Sequence, residues 1–118
     1  MDDRMQVVLL LDYYGKLLSD KQYNAMVSYY YEDLSLIEIA NNQDITKQAV
    51  SDLIKRSEKR LYEIEKELGM VKKNSEIRNK LRVLNTHLSD IIDLNEGEEF
   101  TDTLSVISDS LNEVIGTI

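Results

Sequence analysis

Apolar residues recur at helical spacing along most of the chain, and no stretch alternates as a strand would. In the first part, Ser19 followed by Gln22 and Ser35 followed by Glu38 form capping boxes, which satisfy free backbone N–H groups where a helix begins. Thr46 is a third candidate N-cap. Three starts within 28 residues predict short helices that meet at angles.

The second part carries two heptad-like seams, in which apolar residues are spaced alternately four and three positions apart. The first seam consists of Ile77, Leu81, Leu84, Leu88 and Ile91, and the second of Phe100, Leu104, Ile107, Leu111, Val114 and Ile118. We expect a helical hairpin whose seams face each other, with a tight turn at Asn95 and Gly97. Two helices bury only one face each, so the hairpin needs a further partner, either the first domain or a second copy.

Residues 29–61 have the internal pattern of a helix-turn-helix. Ala40 is small where the two helices must approach each other, and Asp44 tolerates the left-handed turn that glycine usually occupies. We expect Ile45 to fill the core directly after the turn. The buried face of the second helix is predicted at Val50, Leu53 and Ile54.

A break lies between the two parts, where Gly69 is predicted to end one helix and Asn74–Ser75 to cap the next. The sequence therefore predicts an all-α protein. A helix-turn-helix domain is expected over 1–68 and a C-terminal helical hairpin, which serves as a dimerisation segment, over 69–118.

Composition narrows the class of protein. The chain has 118 residues, no proline and no cysteine, so disulfides and thiolate metal sites are excluded and a reducing cytosol is a natural setting. The apolar run "VVLLL" is much shorter than the ~20 residues that span a bilayer. We expect a cytoplasmic protein with no membrane partner.

The charge is uneven. The net charge is −8, yet residues 46–60 carry +3. A basic patch on an acidic body can bind a polyanion locally, with modest and salt-sensitive affinity. Contacts to base edges of double-stranded DNA are predicted for Lys47, Gln48 and Ser51, and contacts to phosphate for Thr46, Lys55, Arg56, Lys59 and Arg60.

Two other interpretations of this patch stay open. A positive stripe on a surface helix is often only solvated. Asp52 could accept a hydrogen bond from cytosine, or it could pair with Lys55 or Arg56 and lower the affinity.

The segment "LSDKQYNAMVSYYYEDLSLIEIA", residues 18–40, resembles the entry to the promoter-reading domain, region 4, of bacterial sigma factors. The matching positions are Leu18, Ser19, Gln22, Met26, Tyr30, Glu32, Leu34, Ser35, Glu38, Ile39 and Ala40. The resemblance implies a sigma-factor region-4-like, DNA-binding fold. Asp33 and Asp44 depart from it where glycine is usual, and Gln43 where an apolar residue is usual, so the turn is expected to be looser.

A resemblance over nearly the whole chain is to the YlxM-type helix-turn-helix proteins. It rests on "LLDYYGKLLSDKQ", on "ITKQAVSDLIKRSEKRL" and on the acidic helical tail. It implies DNA binding and transcription regulation. Because such genes tend to neighbour that of the signal recognition particle GTPase, it also implies an alternative, a protein-interaction module with a protein or ribonucleoprotein partner in that pathway.

The remaining chemistry is sparse. Seven tyrosines could stack on bases, but their helical spacing favours a core with hydroxyls at the surface. His87 is the only histidine, so we expect no zinc site, no cofactor and no enzyme. The acidic cluster Glu96, Glu98, Glu99 and Asp102 favours a solvated turn, with docking to a basic partner as the alternative.

Overall fold

A computed structural model describes residues 3–94 and 100–118, and this part of the chain is helical with no strand. The six α-helices are α1 (Asp3–Tyr14), α2 (Asp20–Tyr30), α3 (Leu36–Gln43), α4 (Lys47–Leu68), α5 (Met70–Leu94) and α6 (Thr101–Thr117). A single 3₁₀ turn, Gly15–Leu17, follows α1. The prediction of an all-α helix-turn-helix protein is confirmed.

The helix starts in the first part are those that the sequence indicates. The hydroxyls of Ser19 and Ser35 accept hydrogen bonds from the backbone N–H groups of Gln22 and Glu38. In turn, the side-chain oxygens of Gln22 and Glu38 accept the backbone N–H groups of the two serines. The Thr46 hydroxyl accepts the N–H of Ala49. Local side-chain chemistry therefore sets where α2, α3 and α4 begin.

Contacts divide the chain into two compact units, Met1–Val71 and Lys72–Ile118. In the first unit, α4 is the central helix, and α1, α2 and α3 all pack against it. The buried apolar core consists of Val7, Leu10, Leu11, Tyr14, Leu18, Ala25, Met26, Ile39, Ala40, Val50, Ile54, Leu61, Ile64 and Val71.

The apolar spacing of α4 explains this position. Val50 and Ile54 are buried as predicted, and Leu53 packs against the core while partly buried. Ile45 was expected in the core, but it is 40% exposed, so that prediction is wrong. Val50, five positions after Ile45, is fully buried instead, because it lies on the face of α4 that is turned toward the core.

The joint between α4 and α5 is a single residue. Gly69 ends α4 in the left-handed conformation (φ 61°), as predicted, and α5 begins at the next residue. Asn74 and Ser75 lie inside α5, so the prediction that they cap a new helix is wrong. The N–H groups at the start of α5 are capped from the first unit instead: the Tyr14 hydroxyl accepts that of Met70 (3.1 Å), and the Glu65 carboxylate accepts that of Val71 (3.1 Å).

The second unit is an antiparallel pair formed by α5 and α6. The Asn85 side chain bonds both Asn112 (3.1 Å) and Ser108 (2.9 Å), and Arg78 donates to the carbonyl of Ile118. Residues later in α5 therefore pair with residues earlier in α6, as they do in two antiparallel helices. The predicted turn at Asn95 and Gly97 lies outside the described residues.

Among the residues that the structure describes, no helix has both the length and the apolar character needed to cross a bilayer.

Candidate nucleic-acid interface

The turn between α3 and α4 is built on a left-handed aspartate. Asp44 has φ 56° and ψ 44°, and its N–H bonds to the carbonyl of Ala40. The N–H of Ile45 bonds to the same carbonyl (3.0 Å). Ala40 itself is buried, as expected for a small residue between two packed helices. Aspartate therefore occupies the left-handed position where glycine is usual, and the turn still forms.

The predicted contact residues lie on the outer surface of α4 and at its cap. Eight of the nine are exposed, and Ser51 is half-buried: Thr46, Lys47, Gln48, Ser51, Asp52, Lys55, Arg56, Lys59 and Arg60. Val50, Ile54 and Ser57 point into the core from the other side of the helix. The structure therefore brings all nine residues onto one accessible stretch of α4, which begins at the capped end.

Acidic side chains lie beside the predicted contact residues and engage two of them. The Gln48 amide donates to the Asp52 carboxylate (3.1 Å), one helical turn later, so the candidate base-reading amide is held by an acid in the free protein. Arg60 approaches Glu63 at 3.8 Å, with both side chains half exposed. Exposed pairs of this kind are worth little, because water and salt screen them.

Glu58 lies in the basic stretch of the sequence but is engaged elsewhere. Its carboxylate accepts the Tyr30 hydroxyl of α2 at 2.5 Å. Burial, and then the hydrogen bond to Glu58, raises the pKa of Tyr30, so this phenol keeps its proton as the donor. One of the two acids that offset the positive charge of 46–60 is thus tied to α2.

The turn that precedes α3 is contacted from α1. Asp33 has φ 54°, the second left-handed non-glycine residue in the described chain. The Arg4 guanidinium contacts the Asp33 carboxylate at 2.9 Å and lies 4.9 Å from the centre of the Tyr30 ring. The Arg4 and Asp33 side chains are 45% and 81% exposed, so the ion pair adds little by itself, and Arg4 marks a contact between α1 and the end of α2.

These long-range pairs join residues far apart in the sequence. Arg4 and Asp33 are 29 positions apart, and Tyr14 and Glu65 are 51 apart. Neither spacing belongs to a local pattern, so no signal in the single sequence could have found them. Five of the seven tyrosines follow the core interpretation, because Tyr14 is buried and Tyr13, Tyr23, Tyr29 and Tyr30 pack against the core. Tyr31 and Tyr62 are exposed, and the Tyr31 hydroxyl donates to the Asp12 carboxylate.

The hairpin places its predicted seam residues on two different faces. Leu81, Leu104, Leu111 and Ile118 are half-buried and Leu88 is buried, on the side where Asn85 meets α6. The remaining seam residues are exposed, so the expectation that whole seams face each other is wrong for them: Ile77, Leu84, Ile91, Phe100, Ile107 and Val114. Two helices enclose only one stripe of each partner, which leaves the second stripe uncovered within the unit.

Two smaller predictions concern polar residues of the second unit. His87 is exposed on α5. Of the acidic cluster, Asp102 lies in the first turn of α6, where negative charge is favourable, and Glu96, Glu98 and Glu99 lie outside the described residues.

Comparison with known proteins gives a consistent set of relatives. A UPF0122 protein of Clostridium novyi (strain NT) is 34% identical over 115 residues, which cover 98% of this chain and 100% of that protein. A UPF0122 protein of Clostridium perfringens (strain ATCC 13124) is 37% identical over 115 residues, with 98% of each chain covered. One from Thermoanaerobacter sp. (strain X514) is 39% identical over 113 residues, with 96% and 94% covered.

A family model describes residues 1–103. Its description is "Putative helix-turn-helix protein, YlxM / p13 like", and the matched range contains the turn at Asp44 and the whole of α4. These descriptions name neither sigma factors nor the signal recognition particle. The chain belongs to the UPF0122 family of YlxM/p13-like helix-turn-helix proteins.

Proposed function

We propose that this protein binds double-stranded DNA in the major groove through α4 and acts as a transcription regulator rather than as an enzyme. The observation that carries the proposal is the exposed stretch from Thr46 to Arg60, which pairs a capped helix start with five basic side chains. Family membership agrees with it, because helix-turn-helix modules commonly read DNA in this way.

The roles follow from position along α4. Lys47, Gln48 and Ser51 are in the first two turns, where a recognition helix reaches base edges. The phosphate-contacting group comprises Thr46, Lys55, Arg56, Lys59 and Arg60. Asp52 belongs to the same surface, where it holds Gln48 and opposes the charge of the phosphates.

A second copy would strengthen this interaction. A single helix-turn-helix binds weakly, and a homodimer joined through the hairpins presents two recognition helices at a high effective concentration. The exposed seam residues of α5 and α6 support dimerisation, since an apolar stripe of this length is costly to leave in water. Replacing Leu84 and Ile107 with lysine should give a monomer in sedimentation equilibrium, and an unchanged dimer would contradict this role.

The test of DNA binding is a fluorescence-anisotropy titration against duplex DNA at several salt concentrations. For the double variant Lys55→Ala/Arg56→Ala, we expect weaker binding on every sequence and a slope of log K against log[salt] that is flatter by about two. Lys16→Ala/Arg82→Ala is the matched control, because it removes two exposed positive charges outside α4. Equal loss in both double variants, or no loss in the first, would contradict the proposal.

A further inference from the structure

The hairpin carries an uncovered apolar stripe that continues over both helices. We call it the outer stripe, and it consists of Ile77, Leu84 and Ile91 on α5 with Phe100, Ile107 and Val114 on α6. Each set is spaced by seven residues, so each runs nearly straight along its helix. Leu84, near the middle of α5, is 53% exposed. A stripe with this repeat suits the packing of helix against helix, with side chains interlocking along the whole length.

The two ends of the hairpin have opposite charge. All five basic residues of the second unit lie within 72–82, at the start of α5. Residues 83–118 contain no lysine or arginine in the sequence. Asp90, Asp93 and Asp102 are exposed at the other end, where α5 finishes and α6 begins. Glu76 and Glu113 lie at the same end as these basic residues and offset two of the five positive charges. The hairpin is therefore net positive at one end and negative at the other.

We propose that the outer stripe packs against the outer stripe of a second copy in the antiparallel sense, so that the two chain turns lie at opposite ends of a four-helix bundle. This inference rests on the proposed dimer and adds its geometry. Antiparallel packing sets the basic end of each hairpin over the acidic end of its partner. Parallel packing would instead stack like charges at both ends, which is unfavourable.

The antiparallel bundle also sets how far apart the DNA-binding units are attached. Each first unit joins its hairpin at the start of α5, which has 25 residues and is therefore about 37 Å long. The two attachment points then lie at opposite ends of the bundle, at a separation comparable to the ~34 Å of one duplex turn. In a parallel bundle they would lie side by side, roughly 10–15 Å apart at helix-packing distances.

Single cysteines can test the arrangement, because the chain has none of its own. In the full-length protein without DNA, Leu84→Cys should form a disulfide-linked dimer on mild oxidation. A mixture of Ile77→Cys and Ile91→Cys should cross-link to each other but not to themselves. Asn79→Cys, exposed on another side of α5, is the control and should not cross-link. Cross-linking requires Cα atoms within about 7 Å. If two α5 helices faced each other in parallel, Ile77→Cys and Ile91→Cys would each lie opposite its own copy and would cross-link to themselves, so the mixture of these two variants distinguishes the two directions.

A distance measurement gives a second readout. With a spin label on Lys73→Cys, the antiparallel dimer predicts an interlabel distance above about 30 Å, and a parallel dimer one below about 20 Å. A short distance, self-cross-linking of Ile77→Cys, or a protein that stays monomeric at every concentration tested would overturn the inference. None of these readouts involves DNA, so failure here leaves the titration of the Lys55→Ala/Arg56→Ala variant to decide the proposed function on its own.

Discussion

The phenolic hydroxyl of Tyr14 on α1 donates a hydrogen bond to Oε1 of Glu65 on α4 over 2.5 Å, across 51 positions of sequence. The same two side chains accept the N–H groups of Met70 and Val71. One buried phenol thus ties together the first helix, the central helix and the start of α5. Burial, and then the bond to Glu65, raises the pKa of Tyr14, so the hydroxyl remains a donor.

Replacing Tyr14 with phenylalanine should destabilise the first unit. The ring would still fill the core, but a half-buried carboxylate and a backbone N–H would each lose a partner, which costs about 1–3 kcal/mol. Urea unfolding followed by circular dichroism gives the free energy of unfolding. Tyr62→Phe, at an exposed tyrosine, is the control and should change it little. Equal effects of the two substitutions would show that the Tyr14 network contributes nothing specific.

Stability should also fall at alkaline pH. The pKa values of Tyr14, Tyr30 and Tyr31 are all raised, first by burial and then by hydrogen bonding to a carboxylate. In the unfolded chain a tyrosine ionises near pH ~10. The folded state holds these protons more tightly, so its stabilisation is complete below about pH 10 and is lost as the pH rises beyond it.

The measurement is the midpoint of urea unfolding between pH 7 and pH 11.5. We expect a flat profile at first and a steep fall above about pH 10. The triple variant Tyr14→Phe/Tyr30→Phe/Tyr31→Phe should be less stable at neutral pH but should show a shallower fall. A triple variant with the same alkaline slope as the parent would rule out these phenols as its cause.

The turn at Asp44 should tolerate glycine and reject a branched residue. Asp44 is left-handed, where a side chain carries a steric cost and a β-branched one carries more. Asp44→Gly should leave thermal stability unchanged or slightly raised, whereas Asp44→Val should lower it by about 1–2 kcal/mol. The comparison of their melting temperatures decides the matter, with Asn42→Val in exposed α3 as the control for β-branching.

Removing the charge of Asp52 should strengthen DNA binding. Asp52→Asn keeps an oxygen that can accept from Gln48 but no longer repels phosphate, so affinity on every duplex should rise roughly two- to fivefold at moderate salt. Asp109→Asn in α6 is the matched control. If Asp52 instead accepts from cytosine, the substitution will weaken binding on the preferred sequence alone. The two outcomes are separated by titrating several unrelated duplexes.

The elements that the sequence predicts well are the locally determined ones. Ser19, Ser35 and Thr46 satisfy backbone groups three residues away, so their caps are visible in the sequence and present in the structure. The left-handed residues at Asp44 and Gly69 follow from the same local reasoning. Helix starts and turns are therefore readable without knowledge of the packing.

What the sequence does not reveal depends on distant contacts. Ile45 has an apolar side chain of the kind that fills cores, yet its exposure is decided by how α3 and α4 pack. Asn74 and Ser75 resemble a cap, but α5 starts earlier, because Tyr14 and Glu65 already satisfy its first N–H groups. Likewise, the spacing of apolar residues identifies two stripes on each helix of the hairpin. It does not show which stripe is buried between α5 and α6 and which stays exposed.

The position of α1 has a practical consequence for anyone who wishes to shorten or transplant the helix-turn-helix. Arg4 contacts the turn before α3, and Tyr14 bonds Glu65 near the end of α4, although neither residue belongs to the motif itself. A fragment limited to α2, α3 and α4 would lose Leu10, Leu11 and Tyr14 from its interior. The smallest piece worth grafting onto another scaffold therefore runs from α1 through Val71.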